Sequence, residues 1–379
     1  MRPTLPEPTA AQRAHSERLQ THLAAAIAAA GGWIRFDRYM REVLYAPGLG
    51  YYSSGARKLG DAAAGGDFVT APELSSLFGR TLAVQVAQLF GELPARIVEF
   101  GAGTGRLAKD LLRALRELGV PCTSYSIIEV SAELRERQQE HLVGEPVEWL
   151  DAPPCQWCGV MLANEVIDVM PVRQFVRRAG AVLERGVTCR QSQLGYAERP
   201  AAADLAGVVD EIEGEVGALP DGYVSEIGFE ARAWMRSAAE WLARGALIVI
   251  DYGFPRREYY HPQRLMGTLM CHYRQHAHAD PFWLPGLNDL TAHVDFSALA
   301  RAANEVGLDT LGYTTQAHFL LNCGLLDTLH AGQTLAASGE AQRLLSEAEM
   351  GELFKVFAVG RSVVSPLLGF AAGDRRHRL

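Results

Sequence analysis

Three glycines in the run Val98-Glu99-Phe100-Gly101-Ala102-Gly103-Thr104-Gly105 stand between an apolar stretch and an amphipathic one. Lacking Cβ, glycines let backbone come close to a ligand and reach positive φ. A dinucleotide-binding fingerprint, G-x-G-x-x-G, would need its third glycine at the position held by Arg106. The spacing G-x-G-x-G after an acid is instead the form of loops that bind S-adenosylmethionine, a ligand without a pyrophosphate. There Gly101, Gly103 and Gly105 make room for the methionyl part, and Glu99 can order its ammonium directly or through water. An ordinary tight strand-to-helix turn is the competing reading of the glycines alone. Glu129 ends the next apolar run, SIIEV, where a carboxylate can take both ribose hydroxyls of a nucleoside. Its rival reading is a surface acid opening a helix beside Ser131.

Two further constellations flank that loop. Thr70-Ala71-Pro72-Glu73 reads as a capping box opening a helix with the stripe Leu74, Phe78, Leu82, Val86, Leu89, with Pro72 in the first turn. The two glycines upstream, Gly65 and Gly66, make the same helix end a place for a ligand carboxylate. Asn164-Glu165-Val166-Ile167-Asp168 follows a buried run and stops near Pro171. Glu165 and Asp168, paired, could hold a guanidinium by charge-assisted hydrogen bonds and orient one nitrogen for in-line attack. They could equally be acids solvating a strand end. Cys155-Gln156-Trp157-Cys158 is a lone CxxC without two further ligands at zinc spacing, and His272, His276 and His278 would not converge on one helix face, so no metal is expected.

The elements that must position these residues can be read from periodicity. Arg96 to Val130 reads strand, turn, helix, strand, the helix resting on Leu107, Leu111, Leu112, Leu115 and Leu118 and stopping at Gly119-Val120-Pro121. Gly159 to Glu165 and Gly245 to Gly253 are near-continuous apolar runs suited to a parallel sheet covered on both faces, with a helix from Phe229 to Ala243 between them. The fold class expected is α/β, a doubly wound sheet with ligands outside the carboxyl ends of its strands. Residues 1–95 are expected to be a helical segment carrying the Thr70 loop, and 96–379 the core, with insertions at about 175–228 and 255–320. The first insertion has hairpin character, turning at Arg178-Ala179-Gly180.

Composition narrows the classes. The 379 residues are 48% hydrophobic and 21% charged, which excludes disorder and fibre. Thirty-six Lys and Arg against 44 Asp and Glu give a net charge of −8, which disfavours nucleic acid as a partner. The alanine-rich stretch Leu23 to Ala30 is too short to span a bilayer, so no membrane insertion is expected. Six scattered cysteines point to a reducing compartment, and the N-terminal run has neither signal-peptide nor transit-peptide character. A bacterial-type cytoplasmic protein is expected.

The runs GDFVTAPELSSLFG, VEFGAGTGRLAKDLLR, ANEVIDVMPVRQF, VIDYG, GTLMCHYRQH, DLTAHVDFSAL, QAHFLLNCG and MGELFKVFAVGR occur in that order. In them the chain resembles the MidA-like family of S-adenosylmethionine-dependent methyltransferases from about Phe36 to Gly360. That family more often reads G-P-G-R-G-T in the glycine loop, where this chain has Ala102, Thr104 and Arg106 but keeps the glycines. The resemblance implies a Rossmann-like class I methyltransferase core with inserted substrate or lid elements. It implies S-adenosyl-L-methionine as cofactor, touched by Thr70, Pro72, Gly101, Gly103 and Glu129, with Asn164 and Glu165 near the methyl. It also draws attention to His293, which could deprotonate an acceptor, close a polar loop over it, or only brace the loop. Mitochondrial members are linked to respiratory complex I assembly and to dimethylation of an arginine in one of its subunits, so a protein arginine is the expected acceptor. The alternatives are a small molecule or other nucleophile, or a non-catalytic assembly factor.

Overall fold

The computed structural model describes residues 5–55, 70–331 and 335–379. The chain divides into two units, the first of residues 1–68, 168–231 and 254–295, the second of 69–167, 232–253 and 296–379.

The second unit is built on a sheet whose strands lie in the order Asp309–Thr315, Phe354–Arg361, Leu242–Phe254, Trp157–Asn164, Arg96–Phe100, Ser124–Ile128, Val147–Leu150. Pairing is parallel from Leu242–Phe254 to Val147–Leu150, and Phe354–Arg361 runs antiparallel to both of its neighbours. The apolar runs are continuous because both faces are covered. Val160 and Leu162 share a core with Leu82, Val86, Leu107 and Leu111, while Met161 and Ala163 on the opposite face are equally buried. Helix Arg106–Glu117 buries Leu107, Ala108, Leu111, Leu112, Ala114 and Leu115. It closes at Gly119, at φ 72°, leaving Leu118 about half exposed instead of in the stripe. The order reverses between Arg96–Phe100 and Trp157–Asn164, the place where doubly wound sheets bind ligands.

The first unit holds helices Ala10–Ala29 and Phe36–Tyr45 and a sheet ordered Ile34–Arg35, Ala181–Arg190, Arg173–Arg178, Val224–Ile227, with Gln193–Pro200 also on Ala181–Arg190. Its hairpin turns at Ala179 and Gly180, both at positive φ as a two-residue turn between twisted strands needs. Arg173, about 5% exposed, is held by both oxygens of Glu184 (2.7 and 3.0 Å) and by Asp204 (2.6 Å). His272, His276 and His278 lie on the strands Met270–Tyr273 and His276–His278, not on a helix. Among the described residues no group of three or more His, Cys, Asp or Glu could hold a metal ion, and no helix is long and apolar enough to cross a membrane.

These boundaries depart from those expected. The 1–95 segment is not one body: Phe78, Leu82 and Val86 pack with Ile97 and Val160 in the second unit, whereas Leu19, Leu23, Phe36 and Tyr39 build a separate core with Val187 and Leu290. The excursions into the first unit are 168–231 and 254–295, not 175–228 and 255–320, because Asp309–Thr315 is the edge strand of the second unit's sheet. Edge pairing joins distant segments and leaves no local periodicity to read.

Candidate functional site

The glycine loop leaves the sheet at its order reversal. Strand residue Phe100 is in register with Ile128 on one side and Ala163 on the other, and the Gly101 amide donates to the Ile128 carbonyl at 2.9 Å. Gly101, Gly103 and Gly105 have φ of 61°, 56° and 83°, a region that costs other residues about 1–2 kcal/mol each. Space is as restrictive as torsion. A Cβ on Gly101 would meet Val166 Cγ2 at 3.2 Å, and one on Gly105 would meet Leu142 Cδ1 at 3.1 Å. Gly105 then caps helix Arg106–Glu117, so unpaired amides of its first turn open beside the loop.

Glu99 is in the strand that leads into that loop. It is 2% exposed, and its Oε2 accepts the Tyr125 hydroxyl at 2.6 Å. Burial pushes its carboxyl up to about 7, against the lowering hydrogen bond from Tyr125, and the nearby Glu129 charge adds to the rise. Glu129 stands half-buried just past strand Ser124–Ile128. Its Oε1 accepts the Ser131 amide and its Oε2 the Gln138 side chain, both at 2.9 Å. Burial raises its carboxyl above the ordinary value, and those two donors oppose the rise. A carboxylate has about four lone-pair positions, so the ones left over are available to a vicinal diol.

The Thr70 segment differs from the expected capping box. Thr70 makes no side-chain cap hydrogen bond, and the helix it opens, Ala71–Leu74, is a single turn. Glu73 instead accepts the hydroxyl of Thr104 from the glycine loop. Ser75 starts the longer helix Ser76–Phe90, accepting from the Leu77 amide at 3.1 Å. Thr70 is half-buried and Pro72 buried; Gly65 and Gly66 lie outside the described residues.

At the end of Trp157–Asn164 the chain turns sharply. Glu165 has φ 53°, an unusual backbone for a residue with a side chain and one often found at functional sites. It is held by its own amide donating to the Ile250 carbonyl at 2.9 Å, and the Ile167 amide donates to the buried Asp251 at 2.9 Å. Asn164 Nδ2 reaches Glu165 at 3.3 Å, while the buried Asn164 Oδ1 has no hydrogen-bond partner among the described residues. An unsatisfied buried acceptor asks for a donor.

The second unit thus holds Thr70, Pro72, Glu99, Gly101, Gly103, Gly105, Glu129, Asn164 and Glu165, the first two at the short helix Ala71–Leu74 and the rest on strand ends of one sheet and the loops that follow them. Asp168 and His293 belong to the first unit, so the expected pair of Glu165 with Asp168 is divided between the two. Asp168 is buried and its carbonyl accepts at 2.9 Å from the amide of Ala292, the residue before His293. The His293 amide donates to Thr268 Oγ1 at 3.1 Å and its ring lies 5.2 Å from that of Phe254. Two contributors escaped sequence reasoning. Asp251 was visible only within the block VIDYG, and Gln138 carried no signal, being one glutamine of two in a charged helix, RERQQEH.

The chain matches, over residues 81–314, the family model described as "Putative S-adenosyl-L-methionine-dependent methyltransferase". A protein from Burkholderia thailandensis, crystallised with bound S-adenosyl-homocysteine, is 50% identical with a TM-score of 0.93, the match covering 99% of this chain and 100% of that one. Among curated relatives, the mitochondrial protein arginine methyltransferase NDUFAF7 of Mus musculus is 32% identical over 86% of this chain and 81% of its own. That of Danio rerio is 30% identical over 92% and 91%. These relatives are mitochondrial proteins, which overturns the expectation of a cytoplasmic one. Sparse cysteine usage marks a reducing environment, a property not peculiar to the cytoplasm.

Proposed function

The chain belongs to the S-adenosyl-L-methionine-dependent methyltransferase family matched above, and from that premise we propose that its methyl acceptor is an arginine side chain of a protein. Its core is the Rossmann-like class I methyltransferase fold, and it is a methyltransferase that uses S-adenosyl-L-methionine. Bound there, the cofactor supplies a sulfonium methyl for in-line displacement.

The residues of the second unit fit such a group. Gly101, Gly103 and Gly105 present backbone without Cβ. Glu129 would offer its remaining lone pairs to the ribose, Glu99 would face the methionyl ammonium, and Thr70 with Pro72 would hold the methionyl carboxylate. Asn164 and Glu165 stand on the acceptor side.

One observation carries the acceptor reading. The segment bearing Glu165 packs against the glycine loop so closely that a Cβ on Gly101 would meet Val166 at 3.2 Å, so a carboxylate on a left-handed, hydrogen-bonded turn lies next to the cofactor loop. A guanidinium stays charged at neutral pH, with a pKa of about 12.5–13.8, and needs a carboxylate to be held against a sulfonium of like charge. The curated relatives, which are protein arginine methyltransferases, support the same acceptor.

Incubation with methyl-labelled S-adenosylmethionine and a lysate, followed by fractionation and acid hydrolysis, tests this. Labelled methylarginine is expected, and Glu165→Gln is expected to cut it at least about tenfold while binding S-adenosyl-homocysteine normally. Label confined to small molecules, or to another amino acid, overturns the arginine assignment.

A further inference from the structure

Gln138 is completely buried on a helix, Ala132–His141, whose other residues apart from Leu134 are exposed or half-buried. Its amide makes three hydrogen bonds of 2.9 Å. Nε2 donates to the Gly103 carbonyl and to Glu129 Oε2, and Oε1 accepts the indole N–H of Trp149. The orientation of an amide is ordinarily ambiguous, since its oxygen and nitrogen look alike. Here chemistry settles it, because an indole N–H can only donate while a carbonyl and a carboxylate can only accept. Trp149, on the edge strand Val147–Leu150, therefore forces both amide hydrogens toward Gly103 and Glu129. A second tie from the same helix binds the loop, His141 Nδ1 to the Thr104 carbonyl at 3.1 Å.

We propose that Gln138 is a positioning residue that joins the middle of the glycine loop to the Glu129 carboxylate, with the Trp149 indole fixing the direction of its amide. The inference rests on the S-adenosyl reading of this site. Gly103 and Glu129 come from consecutive strand ends, and the amide spans them with one donor for each. It holds Glu129 by one lone pair of Oε2 while the Ser131 amide holds Oε1, so the carboxylate cannot rotate. Binding a ribose then needs no ordering of the acceptor, and pre-organisation of that kind appears as affinity.

Calorimetry with S-adenosyl-homocysteine separates positioning from mere structure. In Gln138→Met, of similar volume without donors, the dissociation constant is expected to rise about tenfold at unchanged stoichiometry; a purely structural role would lower the fraction of competent protein and leave the constant alone. Trp149→Phe keeps an aromatic ring but loses the N–H that fixes the amide, and is expected to weaken binding by a smaller factor. Added to Gln138→Met, it should weaken binding no further, because both act through one amide. Affinity of Gln138→Met within twofold of wild type, or independent multiplication of the two losses, overturns the positioning role. Failure of the wild-type protein to bind S-adenosyl-homocysteine would instead overturn the functional reading on which it rests.

Discussion

Replacing Glu99 by glutamine should make the protein more stable above neutrality and worse at holding its cofactor. The carboxyl belongs to the strand leading into the glycine loop and is 2% exposed, with its pKa raised from 4.5 to about 7. A raised folded-state pKa means that the stability tied to the neutral form is fully present below pH 4.5 and is lost as pH rises through 7. Ionised, the group costs the folded state about 3 kcal/mol, at about 1.4 kcal/mol for each tenfold change. Glutamine keeps the shape, can still accept the Tyr125 hydroxyl, and never ionises. Urea unfolding at pH 8 should therefore find Glu99→Gln more stable than wild type by up to about 3 kcal/mol, the difference vanishing near pH 4.5. Binding should go the other way. If the ionised carboxylate faces the cofactor ammonium, wild-type affinity for S-adenosyl-homocysteine should fall with acidification by up to about tenfold per pH unit below 7. It should fall again at alkaline pH, once the ligand's α-amino group loses its proton. At pH 7.5 Glu99→Gln should bind about tenfold or more weakly, the worth of a charge-assisted hydrogen bond, and keep only the shallower acid dependence due to Glu129. A variant that is no more stable than wild type at pH 8, or that binds equally well there, would refute the reasoning.

Other perturbations follow from the same geometry. Gly105→Ala places a side chain at φ 83° against Leu142 and should destabilise by about 1–2 kcal/mol, read by chemical denaturation. Ser75→Ala removes the cap of Ser76–Phe90 and should cost about 0.5–2 kcal/mol, whereas Thr70→Ala, which loses no cap bond, should cost less; equal losses would contradict the two-helix description. Glu184→Leu strips Arg173 of its two-point partner inside the first unit and should cost about 3–5 kcal/mol, while replacing both residues by apolar ones of similar volume should recover most of it.

The alternation of strand and helix, the glycine loop and the carboxylate ending SIIEV were legible in the sequence because each rests on local physics. Burial on two faces writes a continuous apolar run, burial on one face of a helix writes a three-to-four spacing, and a backbone that must turn left-handed selects glycine. The glycine spacing already pointed to the cofactor, and the family resemblance extended this to the class of acceptor. What only tertiary structure decided is what depends on contacts between distant segments. The Thr70 and Glu73 spacing looked like a self-contained cap, yet Glu73 is drawn away by Thr104, thirty-one positions on. Asp309–Thr315 looked like part of an insertion until its pairing with Phe354–Arg361 made it the sheet's edge. Gln138 was one glutamine among charged neighbours until Gly103, Glu129 and Trp149, from three different elements, converged on its amide. A hydrogen bond needs its donor and acceptor within about 3 Å but sets no condition on their separation along the chain, which is why such partners leave no pattern in a sequence.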